Sequence, residues 1–275
     1  MSRAVIRSGF TLVEVLVVTV IIGILLALVS AAVFPALQSA KEFAITSEAS
    51  QLSMAMESLK AEYGTGNPPA DLRNPNQSTS EIYKFVSRTF PRYDISNLSA
   101  DLTTAQVDTN FDPGNALVFW LVGFSDNQAN PFDGHADRMN GTKMSSPFYE
   151  FDTDRLGTDS TSTNSTTGTI RYFPKHSVDD YDNAEAQRAF LYFDKRAYGT
   201  AYSGFSAYQK YSTAPPNYYN PKGTQIINAG LDGQLGVGGA PKDDTGADAN
   251  VPFSGADADN LTNFSEKTMG DYTDK

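Results

Sequence analysis

The sequence predicts an α+β protein: one long N-terminal helix, transmembrane and then amphipathic, packed on a loop-rich, mostly antiparallel β-sheet domain. Two observations predict this fold. An uncharged, mostly apolar run of 26 residues occupies positions 15–40, and an amphipathic pattern continues it to Tyr63. Beyond that point the chain consists of short apolar segments separated by Gly, Pro, Asn and Asp, which is typical of short strands, helices and loops.

The apolar run is long enough to cross a membrane. As a helix, residues 15–40 would be about 39 Å long, more than the roughly 30 Å hydrocarbon core of a bilayer. Arg3 and Arg7 precede the run, and the first nine residues contain no acid. This bias predicts a single-pass protein with a cytoplasmic N-terminus and its domain on the extracytoplasmic side. A secretory signal peptide, with Ser-Ala-Ala at 30–32 as its cleavage site, is one alternative.

A single carboxylate, Glu14, stands at the head of the apolar run, where a charge is costly unless it is paired. Neither an ordinary signal peptide nor a plain membrane anchor explains this residue. The hexapeptide Gly-Phe-Thr-Leu-Val-Glu at 9–14 resembles the type III signal of type IV prepilins and of type II secretion pseudopilins. The resemblance rests on four features together: the basic leader, the Gly-Phe junction, the acid and the apolar run.

The resemblance implies a processing event at the N-terminus. A prepilin peptidase would cut between Gly9 and Phe10 and methylate the amine of Phe10. Residues 1–9 are then the leader peptide, and residues 10–63 the long helix, of which 10–40 forms the transmembrane segment or filament core. The expected location is the inner (cytoplasmic) membrane. The expected partners are the peptidase, membrane lipid, the inner-membrane assembly platform, copies of this chain and other pseudopilins.

The resemblance also implies an assembly role for Glu14, which would pair with the N-terminal amine of a neighbouring subunit in the filament. Elementary electrostatics agrees, because a buried carboxylate requires a buried cation. One position departs from the family pattern. The usual helix proline lies about one turn before Pro35, at the position of Ala31, so the filament geometry of the family cannot be transferred directly.

The overall charge limits the partners of the chain. The formal charge is −11, and loss of the leader leaves 19 basic against 32 acidic residues, which gives −13. Such a surface repels nucleic acid, so no nucleic-acid partner is expected, although a local basic patch escapes this argument. The chain has no cysteine, which excludes disulfides and thiolate metal sites.

The second half of the long helix has a regular apolar stripe whose members step by four and three residues, which places them on one face. A glycine at 64 and the Gly-Asn-Pro-Pro sequence at 66–69 should end the helix. The stripe consists of Ile45, Ala49, Leu52, Met56, Leu59 and Tyr63.

The globular domain, residues 64–275, contains several recognisable elements. A short helix is predicted at 80–88. Asp112 and Pro113 form a cap and first-turn pair before the apolar run 116–122, for which helix is favoured and strand remains possible. Residues 157–168 have the composition of a solvated loop or hairpin tip. Strands are predicted at 169–173, 189–194 and 224–228.

Aromatic residues crowd the Gly-, Ser- and Pro-rich stretch 198–219. A carbohydrate-binding surface is one reading, and loop residues folded over a sheet with their rings toward the core is the favoured one. The residues are Tyr198, Tyr202, Phe205, Tyr208, Tyr211, Tyr218 and Tyr219.

A candidate calcium loop spans residues 226–264. A strand leads into a Gly-rich turn containing Asp232, and a second acidic segment follows at 257–260. No Gly-Lys-Ser/Thr follows the glycines, and the spacing is not that of an EF-hand. The two segments resemble the calcium loop of major type II pseudopilins. That resemblance implies Asp232, Asp259 and Asn260 as ligands, with Asp257 as a further candidate and backbone carbonyls completing the shell.

The calcium loop also departs from the family. The insert 237–256 is longer than the family loop and contains Asp243, Asp244 and Asp248, so an acidic loop without an ion remains the alternative.

Little in the sequence indicates catalysis. The two histidines, His135 and His176, lack metal-ligand spacing, and no Gly-x-Ser-x-Gly motif is present. A lone loop histidine is usually solvated or hydrogen-bonded. Carboxylate pairs such as 179–180 are too common in an acidic chain to mark a glycosidase. The sequence therefore predicts no enzyme but a structural subunit of a type II secretion pseudopilus; the alternatives are a type IV pilus subunit and a membrane-anchored polysaccharide-binding protein.

Overall fold

The computed structural model describes residues 11–107, 110–141, 146–158, 169–175, 189–211, 217–242 and 251–271. The helices are α1 (Leu12–Tyr63), α2 (Glu81–Thr89), α3 (Leu98–Thr104), α4 (Pro113–Leu121) and α5 (His135–Met139). The strands are β1 (Leu156–Thr158), β2 (Ile170–Tyr172), β3 (Leu191–Asp194), β4 (Gln209–Tyr211), β5 (Asn217–Tyr218), β6 (Thr224–Asn228) and β7 (Leu261–Thr262). The predicted α+β class is confirmed.

Helix α1 ends at Tyr63, as its sequence predicts. The next residue, Gly64, has φ of +60°, the left-handed conformation that ends many helices and that glycine adopts without steric cost. The chain divides into two compact units, one up to Lys41 and one from Glu42 onward. In the second unit, the predicted stripe of α1 is buried from Ile45 to Leu59.

The central sheet of the second unit has the strand order β3-β6-β7, and both pairings are antiparallel. β3 and β6 are paired along four residues, from Leu191 opposite Ile227 to Asp194 opposite Thr224. Two smaller antiparallel pairs, β1 with β2 and β4 with β5, complete the described ladders. Thus β2, β3 and β6 lie within the segments predicted as strands, and the mostly antiparallel character is confirmed.

Helix α4 is the centre of the hydrophobic core, since all nine of its residues are buried. It contacts β2 and β3. The Asp112 side chain accepts hydrogen bonds from the backbone N–H groups of Gly114 (3.0 Å) and Asn115 (2.9 Å), and Pro113 occupies the first turn. These capping contacts decide the open question in favour of a helix, because the side-chain cap satisfies backbone donors that burial hides from water.

The same aspartate is half of a buried ion pair. Two guanidinium nitrogens of Arg171, on β2, donate to Asp112 Oδ2 at 2.6 Å and 3.0 Å. Both side chains are almost fully buried, at 3% and 2% exposure. A bidentate pair of this kind is directional, so it fixes the N-terminus of α4 against β2.

Three side chains fasten the segment that follows α1. Trp120 donates its indole N–H to the carbonyl of Pro69 at 2.8 Å, and the Tyr192 hydroxyl donates to the carbonyl of Pro68 at 2.7 Å. The buried carboxylate of Asp194 accepts from the N–H of Ala70 at 2.9 Å. The proline-rich turn is therefore bonded to both α4 and β3.

Further polar contacts join the second half of α1 to the rest of the second unit. Glu48 accepts hydrogen bonds from the hydroxyls of Tyr172 (2.9 Å) and Tyr149 (3.2 Å), and it forms an ion pair with Arg155. Asn263, just after β7, donates to the Ser53 hydroxyl at 2.9 Å. The amphipathic half of α1 is thus held by charged and polar bonds beside its apolar stripe.

In the described parts of the aromatic stretch, residues 198–211 and 217–219, most of the rings point inward. Five of its rings are buried at 7% exposure or less, so the core-facing prediction is confirmed for them and they offer no exposed platform for a sugar. The Tyr211 side chain lies outside the described residues. The five are Tyr198, Tyr202, Phe205, Tyr208 and Tyr219.

We predict that Asp112→Ala lowers the free energy of unfolding of the domain by about 3–5 kcal/mol, because it removes a helix cap and leaves Arg171 as an unpaired buried charge. Asp112→Asn, which retains a capping oxygen, should cost less. Trp120 is the only tryptophan and is fully buried, so its fluorescence during denaturant unfolding provides the measurement.

Asp71→Ala is the matched control, because Asp71 pairs with Arg73 where both side chains are about a third exposed. Its loss should cost at most about 1 kcal/mol. Equal costs for Asp112→Ala and Asp71→Ala would contradict the role assigned to the buried pair.

Candidate processing site and assembly segment

The predicted cleavage residues, Gly9 and Phe10, lie outside the described residues. The first described residue, Thr11, caps helix α1 together with Glu14. The backbone N–H and the hydroxyl of Thr11 both donate to Glu14 Oε2, at 3.3 Å and 3.2 Å. The N–H of Glu14 donates back to the Thr11 hydroxyl oxygen at 3.2 Å. This reciprocal arrangement is a capping box.

The capping box adds a local role to Glu14 that our sequence analysis missed. The signal was present in the Thr-x-x-Glu spacing at 11–14 immediately before an apolar run. In a single chain the Glu14 side chain is exposed. It therefore stabilises the first turn of α1 while remaining accessible to a second partner.

The apolar segment that follows is uncovered. Every residue from 11 to 40 is exposed, and Phe34 is exposed by 70%. Among the described helices, α1 is long and apolar enough to cross a membrane. An apolar surface of this extent requires lipid or other protein chains to cover it.

Comparison with known proteins adds one finding at this end of the chain. Residues 6–30 match the prokaryotic N-terminal methylation motif. The matched range contains the Gly9-Phe10 junction, Glu14 and the first part of the apolar run. Searches of curated proteins and of solved structures found no match to the chain.

The motif and the helix together establish a type IV prepilin-like signal followed by a long apolar helix. Such a signal is processed by a prepilin peptidase, and it characterises pilin-like subunits anchored in the inner membrane. The match ends at residue 30 and does not reach the globular domain. It therefore identifies the class of the N-terminal segment and does not distinguish a pseudopilus from a pilus.

The second candidate site is the turn after β6. Gly230 has φ of +70°, and a Cβ at this position would overlap the backbone of Asp259. This close approach brings the turn containing Asp232 against the segment containing Asp259. The N–H of Asp232 donates to Asp259 Oδ2 at 3.1 Å. The structure thus brings these two predicted calcium ligands together.

The pairing of these acids changes the chemistry of one of them. Partial burial, and then the negative charge of Asp232, raise the pKa of Asp259 from 3.8 to about 6, against the opposing effect of the hydrogen bond from the N–H of Asp232. Two adjacent carboxylates of this kind favour a shared proton or a cation.

The other two predicted ligands, Asp257 and Asn260, have different partners. The buried Asp257 carboxylate accepts from the Tyr208 hydroxyl (2.9 Å) and from the N–H groups of Val237 (3.0 Å) and Gly238 (3.1 Å). Asn260 donates its amide to the Tyr208 hydroxyl at 2.6 Å. Both side chains therefore support the loop through Tyr208.

The oxygen atoms at this site meet some of the requirements of a calcium ion. In the described part of the chain, no group of three or more His, Cys, Asp or Glu side chains could hold a metal ion. The Asn260 side-chain oxygen is buried and has no hydrogen-bond partner there. Calcium accepts carbonyl oxygens and water beside carboxylates, so two acids with carbonyls suit it better than they suit zinc. The predicted extra candidates Asp243, Asp244 and Asp248 lie outside the described residues.

His135 is a core residue at the start of α5. Its Nε2 lies 3.1 Å from the carbonyl oxygen of Phe119, and its ring stacks on that of Phe124. Burial, and then the charge of Arg138, lower the pKa of His135 to about 3, so the ring is neutral at pH 7. His135 is hydrogen-bonded, as expected for a lone histidine, but it lies in a helix and not in a loop. His176 and the acids at 179–180 lie outside the described residues.

Proposed function

We propose that this protein is a structural, non-catalytic subunit of a type II secretion pseudopilus. The observation that carries the proposal is the methylation motif at 6–30 leading directly into an exposed apolar helix. Copies of the chain, with other pseudopilins, would polymerise through residues 10–40 on an inner-membrane assembly platform. The domain would lie on the extracytoplasmic side, in keeping with the basic leader.

Assembly would exchange one partner of Glu14 for another. A cut after Gly9 creates a new amine at Phe10, and in an apolar filament core this cation would need a carboxylate. The Thr11 cap contributes only about 1 kcal/mol, less than the roughly 3–5 kcal/mol that it costs to leave one member of a buried ion pair without its partner. The capping box therefore holds Glu14 in place at the head of the helix until a neighbouring amine arrives.

Two features favour a pseudopilus over a type IV pilus subunit, which is the alternative. The chain has no cysteines, and its C-terminal region resembles the calcium loop of major pseudopilins. The contact between Asp232 and Asp259 supports that resemblance. The other alternative, an anchored polysaccharide-binding protein, loses support because five of the crowded aromatic rings are buried.

We further propose that calcium binds at Asp232 and Asp259. The ion would remove the repulsion between the two carboxylates and hold the turn after β6 to the segment before β7. Asp257 and Asn260 would shape the loop around Tyr208, and the remaining ligands would be carbonyl oxygens and water.

Expression with a prepilin peptidase tests the processing step. We predict that the membrane-extracted protein begins at N-methylated Phe10, as determined by intact mass and N-terminal sequencing. Gly9→Val should leave the chain uncut, because the resemblance places the scissile bond after this small residue. Gly23→Val is the matched control and should be cut normally, since a Cβ at Gly23 has nothing within 4 Å.

Other N-termini would contradict the proposal in distinct ways. An uncut wild-type chain beginning at Met1 would favour the anchored binding protein. A start near Ala32 or Val33 would identify a secreted domain and remove the filament altogether.

Substitution of Glu14 tests the assembly step. We predict that Glu14→Ala and Glu14→Gln both reduce sheared, sedimentable filament by about a hundredfold, because an unpaired buried amine costs about 3 kcal/mol or more. Electron microscopy of the sheared fraction provides the check. Glu62→Ala, at an exposed position of the same helix, should assemble as the wild type does.

The glutamine variant separates the two roles of Glu14, because glutamine can still form a capping box but carries no charge. Wild-type assembly by Glu14→Gln would mean that capping alone matters and that no amine pairs with this residue. Wild-type assembly by Glu14→Ala would contradict the filament proposal.

The calcium proposal predicts a pH dependence that calcium cancels. Without calcium, the stabilising contribution of Asp259 is present below pH 3.8 and is lost as the pH rises through about 6, because its pKa is raised in the folded state. The loss should be about 1 kcal/mol, since solvent screens this half-buried group. Added calcium should recover the lost stability at pH 7, which is measured as an increase in melting temperature.

The comparison with Asp259→Asn isolates this effect. The pKa of His135 is lowered in the folded state, so its contribution to stability increases as the pH rises, opposite to that of Asp259. This contribution is the same in the wild type and in Asp259→Asn, and it cancels when the two proteins are compared. Asp154→Asn, which removes an exposed acid elsewhere, should respond to calcium as the wild type does. A calcium response that persists in Asp259→Asn, or is missing from the wild type, would refute the assigned site.

A further inference from the structure

A cavity of about 770 Å³ lies in the globular unit among the end of α1, helix α2, the residues at the end of β3 and the turn before β6. Its lining carries six basic and only two acidic side chains, a formal charge of +4 in a chain whose formal charge is −11. The basic residues are Lys60, Lys84, Arg88, Lys195, Arg196 and Lys222.

The two acids, Glu81 and Asp194, are already engaged. Asp194 accepts a hydrogen bond from Arg196 Nε at 2.6 Å and is buried at 1% exposure. Glu81 pairs with Lys84 at 2.9 Å and with Arg196 at 3.3 Å. Arg196 also donates to the carbonyl of Asn67, which fixes its guanidinium in the cavity wall. Two of the six cations thus account for both acids.

Three of the remaining cations stay uncompensated. Lys60 pairs with Glu57, which is not part of the lining. Arg88, Lys195 and Lys222 are exposed, and in the part of the chain that the structure describes none of them has an acidic partner. Positive charge is therefore concentrated at one concave place on an otherwise acidic protein. A cleft lined by charge of one sign concentrates ions of the opposite sign.

We propose that this cavity binds a compact, multiply charged anion bearing phosphate or carboxylate groups. Its volume lies within the range of small-molecule sites, roughly 300–1,000 Å³. Arg88, Lys195 and Lys222 supply the charge that attracts the anion, and Arg196 and its acidic partners form the fixed wall behind it.

The shape of the site explains why the ligand should be compact. The cations surround a cavity instead of forming a stripe along a surface, and the chain as a whole is strongly acidic, so its net charge would repel a long polyanion that extended beyond the cavity. Tyr63 also lines the cavity, and burial, with the charges of Glu62 and Asp126, raises its pKa to about 12. Its hydroxyl therefore remains a hydrogen-bond donor at neutral pH. Nothing in filament assembly requires such a site, so the inference stands apart from the proposed function.

Calorimetric titration of the calcium-free full chain in a nonionic detergent tests the proposal, with sodium tripolyphosphate and sodium citrate as probes at low ionic strength. Calcium is removed first because both probes chelate it. We expect saturable binding of one anion per chain, weakened by added sodium chloride through screening. The triple variant Arg88→Ala, Lys195→Ala, Lys222→Ala should bind at least about tenfold more weakly, since each lost cation removes a favourable charge contact. Comparison of the two probes shows whether phosphate or carboxylate groups are preferred.

The matched control is the triple variant Arg92→Ala, Lys175→Ala, Lys267→Ala, which removes the same charges from exposed positions outside the cavity. It should bind as the wild type does. Trp120 fluorescence verifies that both variants are folded, and Lys222→Ala alone replaces the cavity variant if that one unfolds; a weaker affinity is again expected.

Three outcomes would overturn the proposal. The first is that neither probe binds saturably to the wild type. The second is that the control variant loses as much affinity as the cavity variant, which would show general charge attraction. The third is that duplex DNA displaces tripolyphosphate and depends on the same three cations, which would make the site part of a nucleic-acid surface.

Discussion

The carboxylate of Asp112 is the point on which the globular unit depends. It satisfies the first N–H groups of α4 and neutralises Arg171, in the middle of β2, at the same time. Both interactions are required, because unsatisfied N–H groups at a helix start and an unpaired guanidinium are each costly in free energy in an interior without water. Since α4 in turn contacts β2 and β3 and binds the turn after α1 through Trp120, the position of one acid helps to set the position of four elements.

The parts of the fold that could be predicted from sequence are those with a local physical cause. The end of α1 follows from Gly64, and the start of α4 follows from Asp112 and Pro113, because caps act on neighbouring residues. Strands β3 and β6 are recognisable because they contain aromatic and β-branched residues, such as Tyr192, Phe193, Ile226 and Ile227, which favour strands. The capping box at Thr11 has an equally local cause, because the Thr-x-x-Glu spacing at 11–14 lies within one helical turn.

The remaining parts depend on contacts between distant segments. Helices α3 and α5 are short, and β7 has two residues, so none has a period long enough to detect. Asp232 and Asp259 could be paired by family resemblance, but the bonds of Asp257 to Tyr208 required the fold. The basic cavity is the extreme case, because its cations come from four segments between residues 60 and 222. The overall negative charge of the chain gives no sign of this cavity, although it is compatible with a local basic patch.

The attachment of the second half of α1, residues 42–63, to the globular unit has a mechanical consequence. A subunit held in a fibre by its N-terminal helix experiences tension along that helix. Here the force would be divided among the buried residues from Ile45 to Leu59, the bonds of Glu48 to Tyr172 and Arg155, and the bond of Ser53 to Asn263. Many weak contacts that share a load must fail together, so the loss of any one of them leaves the helix attached.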